Sequence, residues 1–130
     1  MKSLYRKLIV LSLLLYLPGI VLPFFRASLT DEVAFRWLGW HGYGGWFTVT
    51  GKTFLLLTLA DLVALLGMYC FQDWGRASFL ALNIVWIALL PFCGLVVVTA
   101  WEMTFHTAYT TLFGAVLALA YGSELKSEFT

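Results

Sequence analysis

Apolar residues fall into four long blocks, at about residues 8–25, 53–71, 77–100 and 105–122, with polar and charged positions gathered between them. At ~1.5 Å of rise per residue the block 53–71 would reach ~28 Å as a helix, about the depth of a bilayer's hydrocarbon core. A segment crossing lipid must satisfy its own backbone polar groups, so each block predicts a helix. The expected fold is all-α: one domain over residues 1–130, an integral membrane four-helix bundle with four spans.

The first block follows the basic start Met1-Lys2-Ser3-Leu4-Tyr5-Arg6-Lys7, a pattern also found in signal peptides. It is longer than the ~7–15 apolar residues of a signal core, and no small-residue cleavage pattern follows it. It therefore reads as a retained transmembrane helix. Pro18 and Pro23 each remove a backbone donor and predict a kinked or frayed outer half.

Between the first two blocks, residues 26–52 combine Trp37, Trp40, Tyr43 and Trp46 with a run of glycines. Residues 33–38 and 46–50 are β-prone, predicting a short hairpin around the glycine-rich tip. Such a hairpin is marginal in water, so its rings are expected in the headgroup layer or against the helix ends, as an interfacial aromatic loop. Gly51-Lys52-Thr53 looks like the end of a phosphate loop, but Trp46 stands where that motif needs glycine.

Composition agrees with the pattern: 62% hydrophobic, 12% charged and a mean hydropathy of +0.89. A net charge of +1 without a Lys/Arg stripe gives no sign of nucleic acid as a partner. Four spans put both ends of the chain on one side, with Lys2, Arg6, Lys7, Arg76 and Lys126; Arg26, Arg36 and Lys52 fall on the other. That bias places both termini in the cytoplasm of an inner or plasma membrane. Cys70 and Cys93 fall ~20 Å apart in depth, too far for a disulfide.

Asp61, near the centre of the second block, is the sharpest chemical feature. An ionisable group there costs ~2.5–3.5 kcal/mol on insertion scales, so something must hold it. Counting along upright helices places Tyr16, Pro91, Thr110 and Thr111 at its depth, and Thr58 lies one turn away on its own helix. These hydroxyls are expected to meet the carboxyl group, either in a proton or cation site or in an interhelical hydrogen bond with Asp61 neutral.

Elsewhere, Gly114, Ala118 and Gly122 form a small-residue ridge suited to helix packing, sharing a face with Thr107, Thr111 and Tyr121. Asn83 is expected to hydrogen-bond a neighbouring helix. Glu102 and His106 are four apart and expected to pair; zinc binding with His41 or Asp31 is the weaker alternative, so no metal or other cofactor is predicted. No hydroxyl, thiol or acid has a basic partner suited to nucleophilic catalysis, which argues against an enzyme.

One helix, a β-prone outer loop and three closely connected helices resemble the claudin-like tetraspans in topology. Residues 26–52 lack the cysteine pair of that loop, and no function is carried over. The expected function is a small multi-pass membrane subunit or accessory protein, including an immunity-type protein, acting through helix–helix contacts. Its partners would be the lipid bilayer and other membrane subunits or further copies of itself. The alternative is an oligomeric ion- or proton-coupled channel or transporter using Asp61.

Overall fold

The structure is a computed structural model that describes residues 1–25, 28, 30–33, 41–46 and 51–130. It is nearly all helical, with α1 (Lys2–Val21), α2 (Gly51–Tyr69), α3 (Asp73–Leu89) and α4 (Ala100–Gly122). All four helices are long and apolar enough to cross a membrane. α1 packs chiefly on α4 and α2 chiefly on α3, so the molecule is two helix pairs held against each other.

Local chemistry explains each boundary. α1 begins at Lys2, well before the apolar block, because Lys2, Arg6 and Lys7 are good helix formers. Pro18 is accommodated inside it, and a 3-10 turn at Leu22–Phe25 follows. α2 ends in a Schellman-type turn in which the Gln72 N–H donates to the Gly67 carbonyl and the Phe71 N–H to that of Met68. Phe71 takes the left-handed conformation there, with φ 59°. Its strain is offset by burial of the ring between Tyr5 and Phe129.

The third span is shorter at its outer end than residues 77–100. α3 stops at Leu89 because Pro91 cannot continue the helix; Leu90–Phe92 make a 3-10 turn and Gly94 adopts φ 72°. α4 starts at Ala100 on a capping box: the Glu102 N–H donates to Thr99 Oγ1, and the Thr99 N–H donates to Glu102 Oε2.

The arms of the expected hairpin, residues 33–38 and 46–50, lie mostly outside the described residues, while part of the glycine-rich tip between them is a strand. β1 (His41–Tyr43) pairs antiparallel with β2 (Leu95–Val96), His41 opposite Val96 and Tyr43 opposite Leu95. The stretch freed by the early end of α3 supplies the second strand. Beside it the Trp46 N–H donates to the Phe92 carbonyl, and Gly45 lies flat on the Cys93–Gly94 backbone.

The opposite end of the bundle is closed by residues 123–130. A 3-10 turn at Glu124–Glu128 turns Leu125 and Phe129 into the core. The Asp73 N–H donates to the Thr130 carbonyl, and the Thr130 N–H to that of Phe71. Arg76 donates to the Ala120 carbonyl at the end of α4, with its guanidinium 4.7 Å from the ring centres of both Tyr121 and Phe129. Lys2 pairs with Glu128 at 2.6 Å. The two helix pairs are thus tied at both ends.

Candidate functional site

In the middle of the bundle the seam between the pairs is crossed by an acid and a phenol. Asp61 comes from α2 and Tyr16 from α1, and the Tyr16 hydroxyl donates to Asp61 Oδ2 at 3.5 Å, the long end of a hydrogen bond. Tyr16 is buried and Asp61 half-buried. Thr58, one turn before Asp61 on the same helix face, is also buried and lies within interaction range of the Tyr16 hydroxyl.

Aromatic packing holds Tyr16 in place. Its ring meets Tyr109 edge-on at 4.9 Å and Phe113 at 5.7 Å, and Phe113 in turn meets Phe79 of α3 at 4.9 Å. Gly19 leaves the space that Tyr109 fills, since a Cβ there would stand 3.3 Å from the Tyr109 ring. Depth counting finds Tyr16, and helix spacing finds Thr58, but neither finds Tyr109; it sits one residue before Thr110 and Thr111 and its ring meets that of Tyr16. Its contact with Tyr16 becomes visible only once the pairing of α1 with α4 is known.

Thr110 and Thr111 do not join this group. Thr110 donates to the His106 and Thr107 carbonyls, and Thr111 to that of Thr107, all within α4, and both residues are exposed. A helical threonine finds its preferred acceptor one turn back, which commits the hydroxyl proton to its own helix. Pro91 is likewise not at the depth of Asp61, because it closes the outer end of α3. Asn83 donates to the Phe79 carbonyl of its own helix rather than across the bundle.

The ridge of Gly114, Ala118 and Gly122 faces away from the rest of the chain. All three are exposed, and a Cβ on either glycine would meet nothing within 4 Å. The packed face of α4 is instead Phe113, Val116 and Ala120.

Glu102 is buried in the capping box, while His106 is exposed with its ring 5.0 Å from Tyr109. The acid expected to serve as a partner for His106 is used to start the helix. Among the described residues no three His, Cys, Asp or Glu side chains gather where they could hold a metal ion. Cys70 and Cys93 are both free thiols. Trp46 is 82% exposed and stacks near Phe92, ring centres 5.7 Å apart. Tyr43 lies in β1, and Trp37 and Trp40 lie outside the described residues.

The arrangement can hold one proton or one small cation between a carboxyl group and a phenol, or simply tie α1 to α2. No protein-family model matches the chain, and neither a curated protein nor a solved structure resembles it at a significant level.

Proposed function

We propose that this chain is a small multi-pass membrane subunit or accessory protein that works by helix–helix contact within an oligomer or larger complex, with its basic end in the cytoplasm. An immunity-type protein belongs to the same reading. The observation that carries it is the outward face of α4. Gly114, Ala118 and Gly122 are exposed and flat, and the hydroxyls of Thr104, Thr107 and Thr111 beside them already donate to their own helix. Such a surface keeps these threonine hydroxyl protons on their own helix and lets another backbone approach closely, which is how helices associate where lipid removes the hydrophobic drive. A shallow groove of about 630 Å³ runs beside it, between Leu15 of α1 and Met103, Ala108 and Leu112 of α4. The cytoplasmic assignment follows from Lys2, Arg6, Lys7, Arg76 and Lys126 lying at one end.

Gly114→Leu with Gly122→Leu tests this reading. Because both positions open onto empty space, the variant should keep the thermal stability of the isolated chain. It should lose its co-purifying partner, or its oligomer, in mild detergent. An assembly of unchanged size would overturn the reading.

The second reading, ion or proton transfer, rests on the Asp61–Tyr16 contact. Four helices bury one polar layer but leave little room for a pore, so transport would require several copies with Asp61 in each. Loss of transport in Asp61→Asn at normal assembly would favour it.

A further inference from the structure

A groove of about 640 Å³ runs down the outside of α1 beside the end of α2. Its upper rim carries Lys2, Arg6 and Lys7, with the Ser3 hydroxyl between them, and its floor is Val10, Leu11 and Leu14. Ser3, Lys7, Val10 and Leu14 lie on one face by three-and-four spacing, so the groove changes from cationic to apolar along a single helical stripe. From Lys7 to Leu14 the drop is ~10 Å.

The three cations differ in how they are held. Lys2 is neutralised by Glu128 at 2.6 Å. Arg6 is braced but not neutralised: its Nε donates to the Tyr69 carbonyl at 3.4 Å, and its guanidinium lies 5.2 Å from the ring centres of Tyr69 and Phe71. Its two terminal nitrogens have no protein acceptor among the described residues, so a guanidinium fork is pre-positioned and empty-handed. Lys7 is exposed, with no ion pair among the described residues. Two uncompensated charges therefore stand where the apolar span begins.

We infer that this groove binds an anionic phospholipid, its phosphate on Arg6 and Lys7 and an acyl chain along Val10, Leu11 and Leu14. Charge complementarity selects the anion, and the apolar floor, with Leu14 60% exposed, selects a headgroup that carries a chain over a soluble phosphate. An acidic peptide has no counterpart for that floor. The inference rests on the chain spanning a membrane and is independent of which subunits it contacts.

Native mass spectrometry of the detergent-purified chain tests it, using phosphatidylglycerol and phosphatidylcholine of identical acyl chains, with inorganic phosphate as the soluble probe. Phosphatidylglycerol should stay bound at concentrations where phosphatidylcholine does not. A basic residue near an anionic headgroup contributes ~1 kcal/mol, so Lys7→Gln should weaken that binding about fivefold and Arg6→Gln with Lys7→Gln about 25-fold. Lys7 is exposed and makes no hydrogen bond or ion pair among the described residues, so the single variant is informative even where the double one is less stable. Inorganic phosphate should not compete at millimolar concentration. Equal retention of both lipids, wild-type affinity in Lys7→Gln, or displacement by phosphate alone would each overturn the site. A chain that leaves membranes under alkaline carbonate would instead sink the membrane reading itself.

Discussion

Gly67 of α2 and Gly75 of α3 meet backbone to backbone. A Cβ on Gly75 would stand 2.6 Å from the Gly67 carbonyl carbon, and one on Gly67 would stand 2.8 Å from the Gly75 Cα. The Trp74 ring closes over the same spot, 2.9 Å from the Gly67 Cβ position. The α2–α3 hairpin is therefore built on a close approach that any side chain would force apart.

Gly75→Ala should lower stability by ~1–3 kcal/mol, the usual range for overpacking a tight site. Gly114→Ala, where a Cβ meets nothing, should leave the folded chain unchanged or slightly stabilised through helix propensity. Thermal unfolding in detergent compares the two directly, and equal midpoints would show that the hairpin is looser than described.

Asp61 yields a graded series. The four apolar blocks contain no Lys or Arg, so the carboxyl group has no side-chain cation within the span and is expected to be protonated at neutral pH. Asp61→Asn keeps shape and hydrogen-bonding capacity and should fold as the parent does. Asp61→Leu leaves Tyr16 without its acceptor and should cost ~0.6–2 kcal/mol, the range for such bonds in membranes. An infrared band of ionised carboxylate at pH ~7, absent from Asp61→Asn, would contradict the protonated assignment.

Tyr5 offers a change in the opposite direction. It is fully buried against Phe71 and Phe129, and among the described residues its hydroxyl is the buried side-chain polar atom with no partner. An unmade hydrogen bond of this kind costs ~1–3 kcal/mol. Tyr5→Phe keeps the ring and should raise the unfolding midpoint; a lower one would reveal a partner for the hydroxyl.

Orientation is checked by labelling. A cysteine replacing Ser28, in a background lacking Cys70 and Cys93, should react with an impermeant maleimide added to intact cells. One replacing Ser127 should react only after permeabilisation. The reverse pattern would invert the assignment drawn from the cation bias.

The helices were readable because an apolar block of ~20 residues has few other solutions. Asp61 and Tyr16 were readable too, because rise per residue converts position into depth. Which faces meet was not. Gly75 falls between two apolar blocks, where a glycine reads as turn punctuation, yet it lies inside α3 and meets Gly67 backbone to backbone. Gly114, Ala118 and Gly122 read as a packing ridge, yet within the chain it is Phe113, Val116 and Ala120 beside them that are packed. A small-residue ridge marks a surface that permits close approach without saying whether the approaching backbone is the chain's own. The strand pair escaped for another reason: β2 became available only because α3 ends early at Pro91, and its partner lies far away in sequence.

Pairing α1 with α4 has a consequence for how the chain is made. The face of α1 formed by Tyr5, Ile9, Ser12 and Tyr16 is completed by Phe113, Val116 and Ala120, synthesised ~100 residues later. At ~5–20 residues per second that is a wait of roughly 5–20 s. Meanwhile α2 and α3 can close on each other through Gly67 and Gly75. Ser12 can wait unaided, because its hydroxyl donates to the Leu8 carbonyl. Tyr16 has no such recourse within α1, but Asp61 reaches the membrane well before α4 does. The Asp61–Tyr16 and Arg6–Tyr69 contacts are the ones that can join the first helix to the growing hairpin before α4 is made, so the half-buried acid is within reach of α1 earlier than the aromatic residues that complete its packing.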